Sequence, residues 1–440
     1  MQVNASHYNH VLKHRNYLLV YNSISGLESL CKINTKEEPN IEDALLRNKC
    51  IEFDSKFKFL IDNDILCDDM NEDEYIATKN LADLFDNHLN IIVMPTEQCN
   101  FRCTYCYEKF ENPCMDEKMI DSLKQFLSRN ISNYSAINLD WFGGEPLCNY
   151  QAVKTIMQYC RELSKKHGIP VISTMTTNGY LLDSYKMDEM LKLGIVGYQV
   201  TLDGSKKIHN MQRHLANGEG TYDTIIHNLY RIKKTISSGL MRICIRVNLN
   251  SKSLLHLDSF FRQLKIYFEN DKRFTLSLRY VRDLKGDGTT EDIINDDNIM
   301  LEVYKKAEKI IPRLLTSHFM SLLDESGCCY AGKPNSFVVG SNGQIYKCTV
   351  YFKDDINKVG KLRNGCMELN YKLIAKWVYP QIAKRHECEK CWYRGRCYYG
   401  TCPYNKVKGV AAISCPFEKE YIDYILKTLD EHGLIKQISC

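Results

Sequence analysis

The sequence lacks any apolar run approaching the length of a membrane span, which takes about 20 consecutive residues. Its N-terminus, MQVNASHYNHVLKHRNYLL, also lacks the apolar core and the small-residue cleavage site of a signal peptide. We therefore expect a cytoplasmic protein with no membrane partner.

An excess of charge of one sign is also missing. Lys and Arg number 58 against 54 Asp and Glu, which gives a formal net charge of +4, and the basic residues are spread along the chain. A nucleic-acid binder would concentrate basic charge on one face, so we expect no nucleic-acid partner. Hydrophobic residues at 44% and charged residues at 25% are ordinary globular values. The 440 residues therefore predict two or three packed domains.

Cysteine, in contrast, is abundant, with 20 residues. In a protein without an export signal these cannot easily form a disulfide framework, because the cytosol keeps thiols reduced. Metal binding is the better interpretation for the three near position 100 and for seven more between Cys329 and Cys415. The scattered remainder is interpreted as small buried hydrophobes. That remainder is Cys31, Cys50, Cys67, Cys114, Cys148, Cys160, Cys244, Cys328, Cys366 and Cys440.

Three regions differ in their local pattern. Residues 1–85 predict a small α+β module, with strands at 17–23 and 30–34 and helices at 41–49 and 55–63. Residues 86–320 alternate six strand patterns with helical ones, which predicts an α/β fold with a parallel sheet and right-handed crossovers. The six patterns are NIIVMP, INLDWFG, VISTMTTN, GYQVTLD, MRICIRVN and FTLSLRYV. In residues 321–440 the alternation lapses, and such an irregular, Cys-rich segment needs metal ligation to stay folded.

A cysteine triplet follows the first of these strands directly, in TEQCNFRCTYCYEKF. Cys99, Cys103 and Cys106 are close enough in sequence for each thiolate to bind one corner of a cubane cluster, which leaves the fourth iron without a protein ligand. A structural zinc normally takes four protein ligands, so an isolated trio is a poor zinc site. The open iron makes this a candidate reaction site.

The triplet, with the aromatic Tyr105 before its last cysteine, resembles the signature of the radical S-adenosylmethionine superfamily, and the resemblance extends over residues 90–320. It implies a partial (β/α)6 TIM-like barrel and a [4Fe–4S] cluster held by the triplet. It also implies reductive cleavage of S-adenosylmethionine to a 5'-deoxyadenosyl radical, which abstracts hydrogen from an unactivated C–H bond. The protein supplies orientation and excludes side reactions.

The turn WFGGEPL resembles the family's GGEP turn, which meets the methionyl amine of the cofactor. Its glycines allow close backbone approach, and Glu145 either accepts a hydrogen bond from the amine or helps to set the turn. By the same resemblance Thr177, Asn178 and Asp203 face the ribose or the substrate, and Arg246 faces the cofactor carboxylate. For Asn178 and Asp203 the alternative is that they satisfy turn backbone. The residues expected to bind S-adenosylmethionine are Tyr105, Gly143, Gly144, Glu145, Pro146, Thr177, Asn178, Asp203 and Arg246.

The C-terminal cysteines resemble the seven-cysteine SPASM domain of radical enzymes that modify peptides, which carries two auxiliary [4Fe–4S] clusters. The segment VVGSNGQIYKC predicts a β-hairpin with an Asn-Gly turn. The implied ligands are Cys329, Cys348 and Cys402 for auxiliary cluster I, and Cys388, Cys391, Cys397 and Cys415 for auxiliary cluster II. The fourth ligand of cluster I is open between Cys328, Cys366, a substrate thiol and none. One departure is the gap of four residues before Cys402, where the family more often has three; zinc is the alternative occupant.

The N-terminal module resembles, in arrangement, the winged-helix leader-recognition domains of ribosomal-peptide maturases, which capture a precursor by adding its strand to a sheet edge. A packing extension of the barrel is the alternative. The sequence thus predicts a radical SAM oxidoreductase of the sactipeptide or ranthipeptide maturase type, acting on a ribosomally synthesised precursor peptide. We expect it to install a crosslink, above all a thioether from a cysteine sulfur to carbon. Its expected cofactors are S-adenosylmethionine and three [4Fe–4S] clusters, with an electron donor such as flavodoxin or ferredoxin.

Three other functions remain open. A carbon–carbon crosslinking or epimerising enzyme uses the same radical without a substrate thiol. An anaerobic sulfatase-maturing enzyme is disfavoured, because that family has an acidic residue after the second SPASM cysteine, whereas Thr349 follows Cys348 here. A non-catalytic iron–sulfur scaffold that binds peptides has no use for an open iron.

Overall fold

The computed structural model of this chain describes residues 2–68, 71–108, 110–284, 292–294, 296, 298–324, 329–378, 388, 390–397, 402–409, 415 and 417–438. The strands are β1 (Gln2–Ala5), β2 (Asn9–His14), β3 (Tyr17–Asn22), β4 (Cys31–Asn34), β5 (Ile51–Glu52), β6 (Leu66–Cys67), β7 (His88–Val93), β8 (Ala136–Trp141), β9 (Val171–Thr177), β10 (Ile195–Thr201), β11 (Arg242–Leu249), β12 (Phe274–Tyr280), β13 (Ser336–Val339), β14 (Gln344–Tyr346), β15 (Lys358–Arg363), β16 (Cys366–Leu369) and β17 (Lys436–Ile438).

The α-helices are α1 (Pro39–Arg47), α2 (Lys58–Asp62), α3 (Glu72–Leu84), α4 (Glu117–Asn130), α5 (Tyr150–His167), α6 (Ser184–Lys192), α7 (Lys206–Gln212), α8 (Tyr222–Thr235), α9 (Ser251–Leu254), α10 (Leu257–Phe268), α11 (Asn298–Ile310), α12 (Pro312–Asp324), α13 (Tyr371–Val378), α14 (Arg394–Cys397), α15 (Pro403–Lys408), α16 (Phe417–Glu420) and α17 (Ile422–Glu431). Short 3-10 helices span Gly26–Ser29, Ser55–Phe57, Ile131–Asn133, Pro146–Asn149, Tyr330–Gly332 and Asp355–Asn357. Within the described residues, none of the helices combines the length and the apolar character that a membrane crossing requires.

The chain divides into two compact units. The first unit comprises residues 1–86, 319–333 and 379–440, and the second comprises residues 87–318 and 334–378. Both ends of the sequence therefore contribute to the first unit. The linear domain boundaries at 85 and 320 stay a prediction.

The second unit is built on a ten-stranded sheet in the order β12-β11-β10-β9-β8-β7-β13-β14-β15-β16. Strands β7 to β12 are the six predicted strands, and each pairs in parallel with the next. Helices α4, α5, α6, α8 and α10 lie in the predicted intervals between them. The predicted α/β fold is confirmed, and the six strands are consistent with a partial TIM barrel. Alternation along β7 buries Leu89, Ile91 and Val93 on one side of the strand.

The predicted hairpin is present and extends this same sheet. Strands β13 and β14 pair antiparallel, and Gly343 in the turn between them has a φ of +78°. Strand β13 then pairs in parallel with β7, from Ser336 opposite Asn90 to Val339 opposite Val93. The sequence pattern indicated the hairpin but not its pairing with the first barrel strand.

The first unit contains two small sheets, in the orders β5-β1-β6 and β17-β4-β3-β2. A core of apolar side chains from both sheets and their helices includes Val3, Leu18, Val20, Ile33 and Leu60, each with no exposed surface. The predicted strands at 17–23 and 30–34 correspond to β3 and β4, and the predicted helices to α1 and α2. The leader-recognition interpretation of this module stays a prediction.

The scattered cysteines divide by exposure. Cys31 and Cys160 are buried, as predicted, and Cys67 and Cys244 are partly buried. The interpretation as buried hydrophobes is wrong for four exposed residues, because they lie in loops or at strand and helix ends where the core does not reach them. These four are Cys50, Cys114, Cys148 and Cys366. Cys328 and Cys440 lie outside the described residues.

Candidate active site

The candidate site lies at the carboxyl ends of the parallel strands, where β/α folds place their ligands. The cysteine loop, defined here as residues 96–108, follows the end of β7 at Val93. Thr177 is the last residue of β9, Asp203 follows β10 by two residues, and Arg246 lies in the second half of β11. The fold therefore brings the ends of neighbouring strands, and with them the predicted site residues, to one edge of the sheet.

The GGEP turn packs directly against the start of the cysteine loop. Gly144 N donates to Thr96 O at 3.3 Å, and Glu145 N donates to Gln98 O at 3.0 Å. A Cβ atom on Gly144 would lie 2.4 Å from the carbonyl oxygen of Gln98, and Gly143 has a φ of +119°. Both positions thus require glycine, one for the close approach and one for its backbone conformation.

Glu145 is fully buried and joins this turn to the end of β9. Its Oε1 accepts hydrogen bonds from Thr177 Oγ1 at 2.7 Å and from Leu147 N at 3.1 Å, and its Oε2 accepts one from Asn178 N at 2.7 Å. Burial raises the pKa of this carboxyl group, while the three donors favour its ionised form. The contacts fit the turn-setting role, and a bond to the cofactor amine stays a prediction.

Asn178 reaches the first cysteine of the triplet. Its Nδ2 donates to Asn100 Oδ1 at 2.8 Å and lies 3.9 Å from Cys99 Sγ, while its Oδ1 accepts from Tyr180 N at 3.0 Å. The side chain therefore does two things: it satisfies turn backbone and it holds the cysteine loop at Cys99. Phe101 N adds a second donor to the same sulfur at 3.3 Å.

The other half of the loop is held through Tyr105. The Tyr105 hydroxyl donates to Asp203 Oδ2 and accepts from Arg213 Nη1 at 2.9 Å and from Asn248 Nδ2 at 3.2 Å. Asn248 N donates to the second oxygen of Asp203 at 2.8 Å, so both oxygens of this fully buried carboxylate are occupied. Arg246 Nε donates to Asn248 Oδ1 at 2.9 Å.

Sequence reasoning missed Arg213 and Asn248. Asn248 stands two residues after Arg246 in the predicted strand, so it faces the same side of the sheet, and this periodicity was a usable signal. Arg213 lies at the end of α7, and no residue pattern in the chain connects it with Tyr105, which is 108 positions away.

Burial raises the pKa of all three thiols of the triplet, to about 12 for Cys106. The Arg213 guanidinium acts in the opposite direction on Cys103. In the part of the chain that the structure describes, no three His, Cys, Asp or Glu side chains converge on a point that would suit a single metal ion. A structural zinc normally takes four protein ligands, whereas three thiolates can each bind a different iron of a cubane, so the donor set of the triplet fits a cluster better than a zinc ion.

Several buried polar atoms around the loop have no hydrogen-bond partner among the described residues. They are Asn100 Nδ2, Glu108 Oε2, Gln212 Oε1 and Arg213 Nε. Buried polar atoms are normally paired, and unpaired ones at one place indicate a polar group that binds there. Donors, acceptors and three thiols together fit a cluster with a cofactor that carries both an amino and a carboxylate group.

The predicted ligands of auxiliary cluster II all belong to the first unit. Cys391 N donates to Cys388 O at 3.3 Å. Lys419 hydrogen-bonds the Cys391 thiol and interacts electrostatically with Cys415 and Cys397. Burial lowers the pKa of Lys419, but the three sulfurs together raise it by more, so the net shift of this pKa is upward. This lysine therefore lies near three of the four predicted ligands.

The predicted ligands of auxiliary cluster I are divided between the units. Cys329 and Cys402 belong to the first, and Cys348 belongs to the second, where its N–H donates to Asn357 Oδ1 at 2.8 Å. Among the candidates for a fourth ligand, Cys366 accepts a hydrogen bond from Arg129 Nη1 at 3.2 Å, and Cys328 lies outside the described residues. Both auxiliary clusters stay predictions.

Residues 93–261 match the family model described as the Radical SAM superfamily. The chain therefore contains a radical SAM domain and is a radical SAM enzyme, and proteins of this superfamily bind S-adenosylmethionine and a [4Fe–4S] cluster.

Curated relatives extend the match beyond that domain. A cysteine-type anaerobic sulfatase-maturating enzyme of Clostridium perfringens is 22% identical over 385 residues, which cover 78% of this chain and 97% of the relative. A GTP 3',8-cyclase of the same species is 24% identical over 313 residues, covering 66% and 90%.

Solved structures share the fold. Native anSMEcpe with bound AdoMet has a TM-score of 0.59 at 19% identity, covering 78% of this chain and 97% of that one. Streptococcus suis SuiB bound to its precursor peptide SuiA has a TM-score of 0.50 at 14% identity, covering 92% and 96%.

Proposed function

We propose that this radical SAM enzyme is a peptide maturase that installs a crosslink, above all a thioether from a cysteine sulfur to carbon, in a ribosomally synthesised precursor. The observation that carries the proposal is the cysteine loop at the carboxyl ends of β7 to β12, held from one side by the GGEP turn and from the other by Tyr105. Cys99, Cys103 and Cys106 are its proposed cluster ligands.

When bound there, the cluster and S-adenosylmethionine supply the radical that removes a hydrogen atom from the substrate. The chain's own residues orient these groups. Glu145 and Asn178 fix the loop around Cys99, and Arg246 offers a guanidinium to the cofactor carboxylate. Positioning of this kind keeps the reacting atoms in line and excludes water.

A peptide substrate is supported by the N-terminal module. Among the described strands, β2 pairs with β3 alone, so its other edge offers backbone N–H and C=O groups to an added strand. Strand addition at such an edge is one of the recurring ways in which proteins bind extended peptides. Structures with the same fold include SuiB with its precursor peptide SuiA and anSMEcpe with the Kp18Cys peptide.

The thioether assignment rests on the auxiliary ligands. Cluster I has three proposed cysteine ligands, Cys329, Cys348 and Cys402, so one of its irons is left for the sulfur of a substrate cysteine. A curated relative that is 22% identical to this chain is named as a sulfatase-maturating enzyme, so sulfatase maturation is the second candidate function. Thr349, which stands where that family has an acidic residue, speaks against it. Carbon–carbon crosslinking or epimerisation would leave the cysteine sulfur free.

The first test compares wild type with the triple variant Cys99→Ala, Cys103→Ala, Cys106→Ala after anaerobic reconstitution with iron and sulfide. Wild type should hold ~12 iron atoms and release 5'-deoxyadenosine from S-adenosylmethionine under reductant, whereas the variant should keep ~8 and release none. A variant that still cleaves the cofactor, or a wild type that binds zinc instead, would overturn the proposal.

The second test identifies the bond. A short open reading frame rich in cysteine beside the gene supplies the candidate precursor, and the reductant is flavodoxin or ferredoxin. A thioether removes two hydrogen atoms from the peptide and one titratable thiol per crosslink. A carbon–carbon bond removes two hydrogen atoms but no thiol, and epimerisation leaves the mass unchanged, so mass spectrometry with thiol alkylation separates the three.

A further inference from the structure

We propose that Arg213 is a positioning residue of the radical SAM cluster, which locks the second half of the cysteine loop through Tyr105 and Asp203 and sets a buried positive charge against that loop. The inference rests on the proposed cluster at Cys99, Cys103 and Cys106. It adds a residue outside the cysteine triplet and the predicted cofactor-binding set.

The main chain on both sides of Arg213 is bonded to the cysteine loop. The bonds run from Thr104 N to Gln212 O at 3.0 Å, from Arg102 N to His214 O at 2.9 Å and from Ala216 N to Asn100 O at 2.9 Å. Gln212 and His214, the residues directly before and after Arg213, are therefore both hydrogen-bonded to the cysteine loop. Its guanidinium carbon lies 5.5 Å from the centre of the Phe101 ring, so the loop is held by main-chain and side-chain contacts together.

The main chain of Arg213 is itself held by hydrogen bonds. Its N–H donates to His209 O at 2.7 Å, and its carbonyl accepts from Thr221 Oγ1 at 2.6 Å. His209 Nδ1 accepts from Asp203 N, and its Nε2 lies 3.1 Å from the same Thr221 oxygen, whose proton goes to Arg213. His209 is thus the neutral tautomer with its proton on Nε2, and these buried bonds hold the main chain of Arg213 in place.

The charge of Arg213 is only partly balanced in the protein alone. Arg213 is 7% exposed, its Nε lies 4.0 Å from Asp203 Oδ2, which is too long for a hydrogen bond, and this Nε has no partner among the described residues. A buried cation is costly unless it is paired and hydrogen-bonded. A cluster with three thiolate ligands from the cysteine loop would supply the missing negative charge.

Two separable effects follow. The hydrogen bond from the Arg213 guanidinium to the Tyr105 hydroxyl holds the geometry of the loop. The positive charge of Arg213 favours the reduced, more negative cluster. Arg213→Gln removes both effects. Arg213→Lys keeps the positive charge but loses the planar guanidinium that bonds Tyr105. Tyr105→Phe removes the hydroxyl that accepts this bond and keeps the guanidinium. Arg231→Gln, at an exposed position on α8, is the matched control.

The experiment uses the full reconstituted chain without peptide. The cluster of the cysteine loop is recognised by the change that S-adenosylmethionine causes in its electron paramagnetic resonance spectrum, and its midpoint potential is measured by redox titration. We expect Arg213→Gln to shift the midpoint to more negative potential and to lower cofactor cleavage by about 10-fold to 100-fold, as for partners that orient metal ligands. Arg213→Lys should restore the midpoint but not the full rate, and Arg231→Gln should match wild type.

The proposal is overturned if Arg213→Gln keeps its iron, its spectrum and the wild-type midpoint. If that variant fails to hold the cluster, the other two decide: a wild-type spectrum and cleavage rate in both Tyr105→Phe and Arg213→Lys would equally overturn it. Failure of the proposed function would give a different result: the triple cysteine variant would still cleave the cofactor, whichever residue stands at position 213.

Discussion

Thr177 donates a hydrogen bond to the fully buried carboxylate of Glu145 across 2.7 Å, so the last residue of β9 and the turn after β8 are held by one shared contact. With the main-chain donors of Asn178 and Leu147, three N–H or O–H groups point at this carboxylate. An amide side chain at position 145, which has N–H groups of its own, could not accept all three of these hydrogen bonds.

Glu145→Gln should therefore destabilise the protein, because its amide would set N–H groups against one of these donors and leave it unpaired. Leaving a buried donor unsatisfied costs about 1–3 kcal/mol. Denaturant unfolding of the apoprotein measures the free energy of unfolding. Glu162→Gln, at an exposed position on α5, is the control and should change little; equal midpoints for the two variants would contradict the prediction.

Gly144→Ala should disturb the cysteine loop, since the added Cβ would meet the Gln98 carbonyl oxygen at 2.4 Å, directly before Cys99. We expect loss of the cluster held by the triplet, with ~4 fewer iron atoms after reconstitution and no cofactor cleavage. Gly239→Ala is the matched control, because nothing lies within 4 Å of its added Cβ. Full iron content in Gly144→Ala would show that the loop yields to the methyl group.

His318 should make the protein sensitive to acid. Burial, with the nearby Arg279 charge, lowers the pKa of His318 from 6.5 to about 3, and its Nε2 lies 3.3 Å from the Tyr304 hydroxyl. The neutral form is favoured in the folded state, so its stabilisation is complete above pH 6.5 and is lost as the pH falls from there towards 3.

His318→Gln keeps an acceptor for Tyr304 without a titratable group. Between pH 6.5 and 4.5 the variant should lose less stability than wild type, by about 1.4 kcal/mol per pH unit. Unfolding by denaturant at pH 7.5, 6.5, 5.5 and 4.5 measures the slopes. His256→Gln, at an exposed position of the same unit, should keep the wild-type slope, and parallel curves for all three proteins would refute the assignment.

Cys391→Ala should remove auxiliary cluster II, because Cys391 is one of its four proposed ligands and the one that Lys419 hydrogen-bonds. Iron should fall by ~4 atoms. Cofactor cleavage without peptide should persist, since the cysteine loop belongs to the other unit. Cys50→Ala, at an exposed cysteine, controls for the loss of a thiol. Unchanged iron in Cys391→Ala would reject this residue as a ligand.

The sequence predicted the six barrel strands because each is an apolar run between helical periods, and it predicted the residues that end those strands because parallel strands share one carboxyl edge. It did not predict contacts between distant segments. Neither the pairing of β13 with β7 nor the bond between Arg213 and Tyr105 leaves a local signal, since each joins residues more than 100 positions apart. The exposed cysteines were missed for a related reason: residue type reports average burial, not the burial of one position.

The pairing of β13 with β7 also bears on how the chain is made. Strand β7 lies between β8 and β13, and its partner on that side is translated more than 240 residues later, at Ser336–Val339. During synthesis the nascent barrel therefore carries an open edge at β7, and such edges favour association between chains. A chain that ends before Ser336 would leave β7 without its second neighbour and should therefore be more prone to associate than the full chain.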